Sequence, residues 1–266
     1  MTTWETTNTH VGRRVEVHDR LESTNTLALQ LSRDPSTAGL AVLAREQTAG
    51  RGQYGRQWQA PPGSSVLMSL ILFPPPSLAR PALLTAWAAV SVCELIGRLS
   101  GLPVRIKWPN DVLVLSPDQA SAKKICGILI EQRRGANVND ASATVVGIGL
   151  NVSQPASHFA DAQLPFAGSL LTMTGKVFES ESIARQLLTT LDRHYTSMID
   201  GDVATLESSW IRDVGLLGQR VTMELAGGVE EGRLQAMSFA GVELELASGK
   251  VLRVAPEEVR HVEKQS

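Results

Sequence analysis

GRGQYGRQW, residues 50–58, sets three glycines and two arginines in its first seven positions and closes on a tryptophan. Glycine carries no Cβ, so backbone N–H groups in this stretch can turn toward a ligand and approach it closely. Arg51 and Arg56 add forked, permanently charged donors suited to phosphate or carboxylate. The stretch reads as a loop that closes on an anion; a solvated surface loop of the same composition stays open as the plainer reading. Two phosphate-binding patterns are excluded. Gly-x4-Gly-Lys-[Ser/Thr] occurs nowhere in the chain, and GIGLNV (147–152) lacks the third glycine of a dinucleotide fingerprint.

Outward from this loop, strand and helix patterns alternate. RRVEVHDRL (13–21) alternates like a strand, and Ser23 or Thr24 then offers an N-cap for a short helix over ESTNTLALQLSR (22–33). AGLAVLAREQ (38–47) is a second strand leading into the glycine loop. The continuous apolar run SVLMSLILF (65–73) predicts a buried strand, ended by the prolines at 74–76. From Leu78 to Ser100 the chain is apolar on most sides and stops at Gly101, as a helix deep in the core would. Strands follow in VRIKW, DVLVL, KICGILIEQ and ATVVGIGLNV. Ile183, Leu187, Leu191, Tyr195 and Met198 recur at helical spacing within residues 180–200, and residues 203–214 form another helix. After Gly215 come short alternating strands with glycine turns, the grammar of a small all-β barrel, so the domains are 1–215 and 216–266.

Composition bounds the partners. With 266 residues, 43% hydrophobic and 20% charged, the chain can bury a sizeable core, and a formal net charge of −2 offers no general attraction to nucleic acid or anionic membrane. The barrel region 218–266 holds six Lys/Arg against eight Glu, which weakens a nucleic-acid reading of it. Cys93 and Cys126 sit inside apolar runs in no metal-like spacing and are expected to be free, buried thiols of a reducing compartment. The N-terminus has no apolar leader pattern, and no window reaches about 18 apolar residues, so the expectation is a soluble, cytoplasmic protein with no membrane partner.

Two further constellations carry chemistry. In RIKWPNDVLV (105–114), Asn110 and Asp111 leave a strand end, where polar groups point into sites; Asp111 could hold Mg²⁺ on phosphates, and ordinary turn chemistry explains the same residues. In KKICGILIEQ (123–132), Lys123 and Lys124 stand at a strand start, and Gly127 inside the strand hints at close approach of a ligand. A solvated strand edge would also carry two lysines. Gly147 and Gly149 repeat the glycine hint at period two.

Taken in order, STN (23–25), EQTAGRGQYGRQW (46–58), KWPND (107–111), KKICGILIE (123–131) and GIGLNV (147–152) resemble the biotin protein ligases across the whole catalytic domain, with APEEV (255–259) near the closing strand of the small domain. The resemblance implies an α+β fold: a mixed-sheet catalytic domain like that of class II aminoacyl-tRNA synthetases, followed by an SH3-like barrel. It implies an ATP- and Mg²⁺-dependent, amide-forming enzyme that makes biotinyl-5′-AMP and passes biotin to one lysine of a biotin carboxyl carrier domain. By the same analogy Lys124, Arg51 and Asp111 are catalytic, with Asp111 a Mg²⁺ ligand or lysine-activating carboxylate. Biotin falls to Ser23, Thr24, Asn25, Gln47, Gly50, Arg51, Lys124, Gly127 and Gly149, and nucleotide to Gln53, Arg56, Trp58, Asn110 and Asn151.

The chain departs from the family in two places. Its catalytic pattern begins by about residue 13, which leaves no room for the N-terminal helix-turn-helix of the repressor members and predicts a dedicated ligase with no nucleic-acid partner. Gln53 stands where the family loop has a third arginine, which bears on how firmly the adenylate is held. A lipoate or octanoate ligase of the same fold and a non-enzymatic peptide-binding adapter are the alternatives. Monomer and homodimer are both compatible with the sequence.

Overall fold

The computed structural model describes residues 1–133 and 142–265. In chain order its elements are β1 (Thr2–Glu5), β2 (Arg14–Leu21), α1 (Thr24–Leu31), β3 (Leu40–Gln47), β4 (Gly50–Arg51), β5 (Gln57–Trp58), β6 (Ser65–Leu72), α2 (Pro81–Ser100), β7 (Val104–Lys107), β8 (Asp111–Leu115), β9 (Ala122–Arg133) and β10 (Ala143–Asn151). There follow α3 (Ala156–Asp161), α4 (Leu170–Thr174), α5 (Ser180–Ile199), α6 (Val203–Val214), β11 (Arg220–Leu225), β12 (Gly228–Met237), β13 (Val242–Leu246), β14 (Val251–Val254) and β15 (Val259–Lys264). Eight strands form one sheet in the order β1-β2-β3-β6-β10-β9-β8-β7. Only β2 and β3 are parallel, so the sheet is mixed, as expected.

Period-two alternation divides the sheet's side chains between two faces. Val146, Ile148 and Leu150 of β10 join the main core under α2 and α5, while Val145 joins a smaller cluster with Ala28 of α1. Strand β6 is buried along its whole length because helices cover both of its faces, which is why its sequence shows no alternation. Ser23 is the N-cap of α1 and accepts from Thr26 N at 3.5 Å. The long apolar helix starts at Pro81, three residues later than its pattern suggested, because Pro at the first helical position needs no backbone donor. This helix is long and apolar enough to cross a membrane by length and composition, and the fold instead buries it among the sheet, α5 and α6. Cys93 and Cys126 are free and buried, and burial pushes both thiols well up.

Besides the β4–β5 hairpin inside the arginine-glycine loop, three short elements were not legible in the sequence. TTWE at the N-terminus adds β1 to the sheet edge, with Trp4 buried beneath the Arg185 guanidinium at 3.7 Å from its ring centroid. Helices α3 and α4 have six and five residues, too few for a periodic signal.

The five C-terminal strands form an antiparallel sheet in the order β14-β13-β12-β11-β15. It is not a separate bead. Val221, Met223, Leu244 and Val262 belong to the same continuous core as the large sheet. Trp108, Trp210 and Phe239 form an aromatic run across the junction, with centroids 5.3 and 4.9 Å apart, and Trp108 Nε1 donates to Val259 O at 2.8 Å. Arg80 donates to both oxygens of Glu257 at 2.9 Å. Trp210→Ala removes the middle ring of that run and is expected to cost about 3–5 kcal/mol, read as a lower denaturation midpoint in urea. A loss under about 1 kcal/mol would mean the two sheets hold together without it.

Candidate functional site

The face of the sheet that carries α1 is covered by that helix only in part. Beyond it, strand register sets Asp111 of β8 opposite Gly127 of β9, and Gly127 opposite Gly149 of β10. Three adjacent strands thus present a floor with almost no side chains. Above it opens a cavity of about 770 Å³, roofed by the arginine-glycine loop, in which β4 and β5 pair as a small hairpin. Every residue expected at the site lines this cavity except Gly50. Gly50 is buried, and a Cβ there would collide with the Trp58 carbonyl oxygen; its role is to let β4 and β5 pair.

A β-bulge sets the reactive end. Val112 pairs with Cys126 and Leu113 with Lys124, so Ile125 is the extra residue. Without the bulge, Lys124 and Gly127 would face opposite ways. With it, Ile125 and Cys126 are both in the core and Lys124 shares a face with Gly127, its Nζ 3.4 Å from where a Cβ on Gly127 would be. Lys124 Nζ pairs with Asp111 Oδ1 at 2.7 Å. The backbone of Lys124 is also clamped, its N–H donating to Phe166 O at 2.7 Å and its carbonyl accepting from Gly168 N at 2.9 Å. Lys123 points away and donates to the Pro165 carbonyl.

At the other end the lining is polar and neutral. Thr24 N–H donates to Gln47 Oε1 at 2.7 Å, and the Thr24 hydroxyl lies 3.0 Å from the same oxygen. Asn25 packs its amide onto Gly147, where a Cβ would overlap it, and its Oδ1 accepts from Ser69 Oγ at 2.5 Å. A neutral recess of amides and hydroxyls suits a cyclic urea or amide group.

Several expected residues have other work in this state. Trp58 lies on the glycine floor with Cε2 2.6 Å from a Cβ on Gly149 and its buried indole N–H unpartnered, so the indole holds ground expected for a bicyclic ring. Arg51 pairs with Glu131 at 2.5 Å. Asn110 donates to Ile128 O at 2.7 Å, and Asn151 donates to Gly168 O at 2.9 Å while accepting from Gln154 Nε2 at 2.8 Å. Asp111, expected as a Mg²⁺ ligand or lysine-activating carboxylate, faces the Lys124 ammonium, so a cation held there would share its carboxylate with that ion pair.

The sequence reading missed Ser69 and Glu131 beneath α1, and Glu224, Arg260 and His261 at the cavity's rim. Glu131 was within reach, since it follows Gly127 and Leu129 at period two. Glu224, Arg260 and His261 come from the C-terminal sheet, and nothing local marks them.

Residues 17–151 match the sequence model of the biotin/lipoate A/B protein ligase family. The chain belongs to that family. Among other members, it is 30% identical over 232 residues to the bifunctional ligase/repressor BirA of Bacillus subtilis, covering 87% of this chain and 69% of the relative. It is 30% identical over 226 residues to the biotin–[acetyl-CoA-carboxylase] ligase of Paracoccus denitrificans, covering 84% and 90%. The biotin protein ligase of Aquifex aeolicus solved in complex with biotin and ATP superposes with a TM-score of 0.74 at 23% identity, over 94% of this chain and 99% of that one. Within this ligase family the glycine floor gives a direct test of the site. Gly149→Ala is expected to push Trp58 off the floor, shifting tryptophan emission and costing about 1–3 kcal/mol of stability. An unchanged spectrum would place the indole elsewhere in solution.

Proposed function

We propose that this protein is an ATP-dependent biotin–[biotin carboxyl carrier protein] ligase of the cytoplasm. The observation that carries the reading is one cavity joining a neutral polar recess, a side-chain-free floor and a fixed ammonium, within a chain that belongs to the ligase family. A ligand with an uncharged hydrogen-bonding ring at one end and a carboxylate at the other matches that polarity. In this reading the large sheet is the catalytic domain akin to class II aminoacyl-tRNA synthetases, and the C-terminal strands are the SH3-like barrel.

The first half-reaction joins two anions. A biotin carboxylate oxygen attacks the α-phosphorus of ATP, a P–O bond breaks, and pyrophosphate leaves. Lys124 lowers the repulsion by standing between carboxylate and phosphate, and Asp111 keeps the ammonium in place before the substrates arrive. Ser23, Thr24, Asn25 and Gln47 bond the ureido ring; Gly127 and Gly149 admit the ring and chain once Trp58 lifts from the floor. Gln53, Arg56, Trp58, Asn110 and Asn151 surround the nucleotide, and Mg²⁺ enters with ATP as part of the substrate. In the second half, the acceptor lysine amine attacks the acyl carbon, AMP departs, and an amide forms; the proton released by the amine passes to Asp111 or to solvent.

The decisive experiment is pyrophosphate release with and without biotin, with lipoate as the competing acid. Biotin-dependent release supports the reading, and lipoate-dependent release replaces it with the lipoate ligase alternative. Within it, Lys124→Ala is expected to lower adenylate formation roughly 10²-fold or more while leaving the unfolding midpoint near that of the parent. Turnover close to normal in that variant removes the lysine from the chemistry.

Gln53 makes a second point. A neutral amide binds a phosphate oxygen about half as strongly as a charged donor, so Gln53→Arg is expected to slow escape of biotinyl-5′-AMP by roughly tenfold. Off-rates agreeing within about twofold would assign the loop's grip to Arg51, Arg56 and backbone amides.

A further inference from the structure

Glu131 has no part in the reaction just described, yet it sits where two parts of the site meet. One of its oxygens, Oε2, accepts from Asn25 Nδ2 at 2.8 Å and from Arg51 NH2 at 2.5 Å. The first partner belongs to α1 and the second to the loop that roofs the cavity. Ser69 Oγ gives its one proton to Asn25 Oδ1, so its 2.8 Å contact with Thr24 Oγ1 uses the Thr24 hydroxyl proton, and Thr24 holds Gln47 Oε1 through its backbone N–H at 2.7 Å. Hydrogen bonds therefore run from Gln47, at the base of the loop, through α1 and the sheet to Arg51 in the loop itself.

We infer that Glu131 is a positioning residue that holds the arginine-glycine loop over the cavity and links its position to occupancy of the polar recess. The inference rests on the reading of that recess as the biotin ring site. Of the loop's two arginines, Arg51 is the one with a carboxylate partner among the described residues. The glycines at 50, 52 and 55 make an ordered loop costly in conformational entropy, so a fixed anchor matters more here than in a stiffer segment. Arg51 and Glu131 both remain partly open to solvent, at 41% and 25% of their side-chain area, so an arriving anion can compete for the guanidinium. A ligand that engages Thr24 or Gln47 draws on the same hydrogen bonds that orient Asn25 against Glu131. Filling the recess and releasing or re-aiming Arg51 are thereby coupled.

The test uses the full chain without ligands. Glu131→Gln keeps the side-chain shape and an acceptor for Asn25 but removes the charge facing Arg51. Tryptic cleavage at Arg56 is expected to accelerate about five- to tenfold, the scale set by exchanging a charge-assisted hydrogen bond for a neutral one. Arg51→Gln should accelerate cleavage at Arg56 to a similar extent, and the double variant should go no faster than either single one, because both changes break one interaction. In steady state, Glu131→Gln should raise the biotin KM and leave kcat within about twofold, since the loop's resting position changes and the reacting atoms do not. Unchanged cleavage, additive effects in the double variant, or a lowered kcat at constant KM would each overturn the inference. Should Glu131→Gln fail to fold, Arg51→Gln alone decides through cleavage at Arg56. Ligand-free cleavage reads Glu131, whereas biotin-dependent pyrophosphate release by the parent chain reads the proposed function, so either can fail without the other.

Discussion

Asp111, Gly127 and Gly149 stand abreast on three neighbouring strands, and the rest of the site depends on that register. Two missing side chains make the floor, and the carboxylate at its edge gives the lysine something to hold. A one-residue slip of β9 against β10 would turn Gly127 into the core and bring Cys126 or Ile128 up into the cavity. The register is protected from the opposite face, which is packed under α2, because a shift of β9 would take Cys126 and Ile128 out of the core. The bulge at Ile125 is the one local exception, and it brings Lys124 round to the floor while the core keeps two consecutive apolar residues.

Around that floor the cavity is built from parts of unequal rigidity. Its base is sheet, and its polar end is the capped N-terminus of α1, tied to Ser69 and Gln47. The roof is a hairpin of two-residue strands held by a tight turn, with Tyr54 and Gly55 at positive φ and Tyr54 exposed. It is tied to the rest of the cavity by the Arg51–Glu131 pair and by the Trp58 indole on the glycines. Trp58 links the two regimes: it belongs to the roof but rests on the floor.

The junction with the C-terminal sheet does more than add stability. Trp108, the residue before Pro109 and Asn110, donates to Val259, and its carbonyl lies 3.1 Å from His261 Nδ1. The turn that presents Asn110 and Asp111 is thus braced by the second sheet, and that sheet brings Glu224, Arg260 and His261 to the cavity's rim.

Much of this was legible in the chain because the signals are local. Helical spacing gave α5 and α6 nearly to the residue, the unbroken apolar run gave the doubly covered β6, and the order of glycines, arginines and KWPND gave the family and a set of site residues that all line the cavity except Gly50. What the tertiary structure alone decided is who meets whom. Residue types do not say that Asp111 takes the Lys124 ammonium, that Arg51 takes Glu131, or that an indole from the loop lies on the glycines. These pairings join residues between 13 and 91 positions apart, read from 111 to 124 and from 58 to 149. Strand register, a single bulge and the packing of a second sheet set them, and each of those is fixed by close packing across the whole core.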